Sequence, residues 1–227
     1  MAIHRTTYKD QVIGHIYESV LDGQYLPGDQ VKESLLAKEM GISRAPVREA
    51  LKELIANGVL DYKPQVGSYI ALLSPKEILD AYTTRGVLEG FAIMSTRHLF
   101  TDDDIEELET MVVKMTSLAA KENRKKVVQI GGEFHDRLVS KNKNVQLAVY
   151  TERLSLKLHV LFFKYWSTLY APDEIGKRHS QIVSTLAAGD PVRIEETVRA
   201  HYIETGNKIS ALYETDGFPT QKGKIEQ

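Results

Sequence analysis

A mainly α chain in two parts, a small N-terminal module and a larger all-helical bundle, is what the 227-residue sequence predicts. Three observations carry it. Six glycines and three prolines fall within the first 70 residues and both types thin out afterwards, so short elements with turns give way to long helices. Beyond residue 74 the apolar positions recur at three- and four-residue steps: Ile78, Tyr82, Leu88 and Ile93 form one stripe, which also carries Arg85 and Glu89. A second stripe holds Ile175, His179, Ile182 and Leu186, and strand-like alternation is missing. Between the two parts, Leu72-Leu-Ser74-Pro75-Lys-Glu77 supplies a capping serine, a first-turn proline and an acid three residues after the cap, which starts a helix and marks the join. The expected divisions are 1–73, 74–215 and a polar tail over 216–227.

Composition narrows the function classes. With 42% hydrophobic and 26% charged residues the chain reads as an ordinary globular protein. Lys plus Arg number 29 against 31 Asp plus Glu, a net charge of −2, so nothing at whole-chain level announces a polyanion partner. The absence of cysteine excludes a disulfide framework, a thiolate metal site and a cysteine nucleophile. Any metal must therefore be held by histidines and carboxylates. The N-terminus is too polar for a signal-peptide core and no apolar run approaches the roughly 18 residues that span a bilayer, so a cytoplasmic location without membrane contact is expected.

In the front module, residues 8–21 form an amphipathic helix with Val12, Ile16 and Val20 on one side, ended by the turn from Gly23 to Gly28. A short helix comes next at 32–40 and stops at Gly41; Ser43 can cap a third over 45–54, with Pro46 in its first turn. Two short helices joined by a glycine turn, Leu-Ala-x-x-x-Gly-Ile-Ser-Arg, make a helix-turn-helix. Val47, Leu51 and Leu54 face inward, which leaves Arg44, Arg48 and Lys52 on the opposite side at four-residue steps, a face suited to the major groove. The other outcome for those arginines is surface pairing with Glu49 and Glu53. After Gly58, segments 59–62 and 68–71 read as two strands around a tight loop, the wing of a winged helix. Residues 1–70 carry 8 basic and 9 acidic side chains, whereas 43–52 carries Arg44, Arg48 and Lys52 against Glu49 alone, so the basic character is local to one face.

These motifs resemble those of a known family. Tyr25-x-Pro-Gly28, the run Leu-Ala-x-x-x-Gly-Ile-Ser-Arg-x-Pro-Val-Arg-Glu-Ala-Leu over 36–51, Gly58-x-Leu and Gly67 together resemble the DNA-binding signature of the GntR family of bacterial transcription regulators. The remainder of the chain, beginning with Arg85-x-x-Leu-Glu89, resembles the FCD effector domain of the FadR subfamily, and six helices rather than seven are similar to its VanR branch. The resemblance implies DNA contacts by Ser43, Arg44 and Arg48, with Ser34 on the second helix and Gly67 at the wing. Many members carry Arg before that wing glycine; here it is Val66.

Successive bundle helices are expected at 75–98, 102–122, 124–141, 143–167, 172–188 and 190–213, with starts at Thr101-Asp-Asp-Asp, Asn142 and Gly189-Asp-Pro. Three of the seven histidines sit on inward stripes of three different helices: His135, His179 and His201. Each alone reads as a hydrogen-bonded core histidine. Together they suit a mid-row divalent metal, zinc, nickel or manganese. The family resemblance implies the same three positions as metal ligands and a fourth ligand, an Asp, one turn before the first histidine, where this chain has Gly131. Arg85 and Glu89 lie one turn apart and are candidate effector-binding residues, Arg85 either forking a carboxylate or pairing with Glu89. The aromatic run Phe162, Phe163, Tyr165, Trp166 with Tyr170 reads as core or dimer interface before pocket lining.

The expected function is a transcription regulator, a repressor binding palindromic double-stranded operator DNA as a homodimer under control of a small carboxylate effector. A metal-responsive regulator is the alternative. A histidine-site metal-dependent hydrolase stands further off, because no acidic residue sits one turn from His135 or His179 to serve as general base.

Overall fold

The computed structural model describes residues 6–215, apart from the side chains of Leu156, Val160, Leu161, Trp166 and Ser167. The expected tail at 216–227 lies outside the described residues. After Leu72 the chain divides into two compact units.

In the first unit, α1 (Tyr8–Leu21) opens on a capping box in which the Thr7 hydroxyl accepts from the Asp10 amide at 3.1 Å and the Asp10 carboxylate accepts from the Thr7 amide at 3.0 Å. Its Val12, Ile16 and Val20 are buried. The strand β1 (Gln30–Val31) precedes α2 (Glu33–Met40) and α3 (Arg44–Ala56). Between these helices the backbone turns through the left-handed region at Gly41 (φ 65°), where a Cβ is disfavoured. Val47, Leu51 and Leu54 of α3 point into the core as their spacing predicts. Next, β2 (Leu60–Lys63) and β3 (Gly67–Ile70) pair antiparallel, Leu60 opposite Ile70 and Lys63 opposite Gly67, and the sheet order is β1-β3-β2. Both hairpin strands lie one residue from their expected positions, since the Val59 amide closes the end of α3 on the Leu54 carbonyl instead of entering the ladder. Strand β1 is an addition to the expected elements: two residues show no alternation, and only pairing with β3 defines them.

The second unit contains α4 (Pro75–Thr96), a 3-10 turn at Arg97–Leu99, α5 (Asp102–Ala120), α6 (Arg124–Val139), α7 (Val145–Leu169), α8 (Pro172–Ala188) and α9 (Pro191–Thr215). The Ser74 and Thr101 capping boxes form, but α7 starts two residues late because Asn144, not Asn142, caps it. Ile78, Ile93, Leu108, Phe134, Leu186 and Val198 are among the side chains that fill the core. Helices α4 and α9 approach closely along small residues: a Cβ on Gly206 would meet Tyr82 Cβ at 2.8 Å, and one on Gly86 would meet Tyr202 Cβ at 3.1 Å. That approach places Arg85 and Glu89 against the face of α9 that carries His201 and Tyr202.

Candidate functional site

On the first unit, Ser34, Ser43, Arg44, Arg48 and Lys52 are all exposed. Ser43 precedes α3 in extended backbone, and its hydroxyl makes no cap bond. The arginines pair with neither Glu49 nor Glu53. Glu33, from the first turn of α2, takes both: Arg44 Nε donates to its Oε1 at 2.9 Å, and Arg48 donates to both oxygens at 2.8 and 3.2 Å. Hydrogen bonds from Arg48 hold the Glu33 carboxyl below its usual range. At the wing, Gly67 takes φ 124° and the Val66 carbonyl accepts from Gln30 Nε2 at 2.7 Å, leaving the Val66 side chain exposed.

On the second unit, α6, α8 and α9 bring His135, His179 and His201 together, with a ligating nitrogen of each within 4.8 Å of the others. The cluster borders a cavity of about 70 Å³. His179 donates from Nδ1 to the Ile175 carbonyl at 2.7 Å, and His135 donates from Nδ1 to Glu89 Oε2 at 3.0 Å. In both rings Nδ1 is taken by that bond, which leaves Nε2 as the nitrogen that could ligate an ion. The Nδ1 of His201 is buried with no hydrogen-bond partner. Burial, then the neighbouring His135, pushes His179 down to about 3, and burial likewise lowers His201 well below the usual histidine value. Three converging imidazoles, one with an orphaned buried nitrogen, fit a divalent ion, and a Cβ added at Gly131 would meet nothing within 4 Å.

Behind the histidines lies a buried ionic group. Glu89 is 0% exposed; Arg85 Nε donates to its Oε1 at 2.6 Å and the Tyr202 hydroxyl to its Oε2 at 2.7 Å. Burial alone would raise the Glu89 carboxyl, but Arg85 and His135 hold it down at about 2. Arg85 also lines the cavity, and its Nη2 is buried without a partner.

Residues 8–70 match the description "Bacterial regulatory proteins, gntR family" and residues 80–204 match the FCD domain. The chain belongs to the GntR family of bacterial transcription regulators, with an FCD domain behind the winged helix. This GntR regulator is 28% identical over 197 residues to a probable D-xylose utilization operon transcriptional repressor of Paenarthrobacter nicotinovorans, spanning 87% of this chain and 86% of that one. It is 23% identical to the repressor RspR of Escherichia coli K12 over 82% of each chain. Its fold is similar to that of E. coli McbR/YncC, with a TM-score of 0.78, 19% identity, and 93% and 100% of the two chains covered. The GntR regulator binds DNA and is not an enzyme, which removes the hydrolase reading.

One expectation needs correction. Glu89 is not placed to receive a carboxylate effector: its oxygens are taken by Arg85, Tyr202 and His135, and its charge repels a second carboxylate. Its position instead fixes the tautomer and aim of His135. The aromatic run divides: Phe163 and Tyr165 are core, while Phe162 and the buried Tyr170 also line the cavity. The side chain of Trp166 lies outside the described residues. Sequence reasoning missed Glu33 and Tyr202 altogether; an acid in the first turn of α2 was the only signal for the former, and Tyr202 carried none.

Proposed function

We propose that this GntR regulator is a cytoplasmic repressor that binds a palindromic operator as a homodimer, and that a small carboxylate in the α6–α8–α9 cavity controls its operator affinity. Ser34, Ser43, Arg44, Arg48, Lys52 and the wing at Gly67 would contact DNA. His135, His179 and His201 would hold zinc, nickel or manganese, whose chemistry is to offer a Lewis-acidic site to an anion. One observation carries the effector reading: Arg85, whose buried Nη2 has no hydrogen-bond partner, lines the same cavity as the three histidines, so a carboxylate there would have a guanidinium and the ion position beside it. A cavity of about 70 Å³ admits a short-chain acid rather than a large ligand.

Dimerisation follows from the recognition problem, because one module reading one half-site discriminates too weakly against a genome of competitors. The repressor names of two relatives support the sign of regulation.

Elemental analysis and melting with added zinc, nickel or manganese test the metal. Neither bound ion nor a melting shift that His135→Ala abolishes would remove it. Operator titration with metal alone, then with metal plus short carboxylates, tests the effector: a response complete with metal alone makes the protein a metal-responsive regulator instead.

A further inference from the structure

The three-charge cluster on the DNA-binding unit has a geometry that assigns different tasks to its members. Glu33 spans from α2 to α3 and holds Arg44 and Arg48 on one carboxylate. Its side chain is 21% exposed, whereas those of the arginines are 62% and 57% exposed, so the acid sits beneath the two cations. Alone, Arg44 and Arg48 would be like charges one helical turn apart and would splay. With Glu33 the trio carries a net charge of +1 and a fixed shape.

How each arginine is held decides what it can still offer. Glu33 engages Arg44 through Nε only, which leaves the Nη1/Nη2 end of its guanidinium as a two-pronged donor. That fork matches the O6 and N7 acceptors of guanine in the major groove. Arg48 is gripped side-on through Nε and Nη2, so its Nη1 remains as the prong that Glu33 does not touch, suited to a single phosphate oxygen.

We propose that Glu33 is a positioning and specificity-determining residue: it aims Arg44 at a guanine edge, confines Arg48 to a backbone contact, and holds non-specific DNA affinity down by cancelling one of their charges. The inference rests on the reading that α3 faces DNA. It adds that an acid placed among the DNA-contacting cations improves discrimination while lowering raw affinity. Removing the acid then has opposite effects on the two kinds of duplex.

The test uses the full chain and fluorescence anisotropy over a salt series, with an operator duplex selected from a random pool by the wild-type protein and a scrambled duplex of equal length. Glu33→Gln, which keeps the side-chain shape and removes the charge, binds the scrambled duplex ~8-fold more tightly per subunit at about 0.1 M salt, with a salt slope steeper by ~0.9 per subunit, as one more uncompensated cation requires. Its operator-to-scrambled ratio falls ~10-fold. Arg44→Lys loses a similar ratio because a lysine offers no fork, whereas Arg48→Lys keeps the ratio within ~3-fold. An unchanged slope and ratio in Glu33→Gln overturns the proposal, as does an equal loss on both duplexes at unchanged slope, which marks a merely structural residue. Equal losses in Arg44→Lys and Arg48→Lys overturn the division of labour. If the wild-type chain selects no sequence at all, the DNA-facing reading of α3 fails and takes this one with it.

Discussion

Replacing Glu89 with alanine strikes the one point where α4, α6 and α9 share a charge. In the native protein the carboxylate accepts from Arg85, His135 and Tyr202 at 2.6, 3.0 and 2.7 Å, and both Arg85 and Glu89 are buried, at 3% and 0% exposure. Without it the guanidinium stays buried with its countercharge gone, and Nη2 is already without a partner. Stranding one half of a buried ion pair costs about 3–5 kcal/mol. For a helical domain of this size that lowers the melting midpoint by roughly 10–15 °C. The single tryptophan, Trp166, belongs to α7, so its fluorescence during urea unfolding reports the helical domain separately from the DNA-binding unit. The double variant Arg85→Met, Glu89→Leu recovers most of the loss, since removing both charges leaves neither uncompensated. A loss under about 1 kcal/mol in Glu89→Ala, or a double variant no more stable than the single, refutes the buried pair as the source of that stability.

Other consequences can be measured on the same protein. Zinc at about 100 times its dissociation constant stabilises the wild-type helical domain by ~2.7 kcal/mol and His135→Ala by none, read by the same fluorescence transition. Gly131→Asp places a carboxylate in open space one turn from His135 and raises metal affinity at least ~10-fold in chelator competition; unchanged affinity means the fourth position does not face the ion. In metal-stripped protein the pH dependence has a definite sign. His179 and His159 are pushed down to about 3 by burial, then by His135 and Arg85 respectively, while the unfolded chain protonates near 6.5, so stability is full above pH 6.5 and is lost as pH falls below it. Between pH 7 and 5.5 the loss is ~1.3 kcal/mol for each such histidine, and a stability that rises on acidification contradicts the assignment.

Much of the architecture was legible because its signals are local. The Ser74-Pro75-Glu77 and Thr101-to-Asp104 boxes lie within four residues of sequence, and the glycine at 41 marks a left-handed turn that few other residues adopt. The inward stripes of His135, His179 and His201 also follow from helical period alone, although their convergence needs the bundle to close. What escaped was tertiary. Glu89 meets His135 across 46 residues and Tyr202 across 113, and Glu33 meets Arg48 across 15 through the angle of the helix-turn-helix. No spacing rule along one helix reaches those partners, which is why Glu89 reads as an effector ligand in the sequence when its oxygens are already taken by Arg85, His135 and Tyr202. Asn142 and Asn144 show the same limit at short range: two equivalent capping residues stand two apart, and packing of Asn142 against Ser95 leaves the cap to Asn144.

Control of DNA binding by a small carboxylate in the histidine cavity is tested most directly by operator affinity measured with and without that ligand. Wild-type protein and His135→Ala, each in the same excess of zinc, are titrated onto a selected operator duplex in the presence and absence of a panel of short-chain carboxylates. At least one acid is expected to shift wild-type operator affinity by about tenfold, the 1.4 kcal/mol scale of a modest coupling, and to leave His135→Ala unmoved. An affinity indifferent to every acid, or an equal shift in both proteins, contradicts control through this cavity.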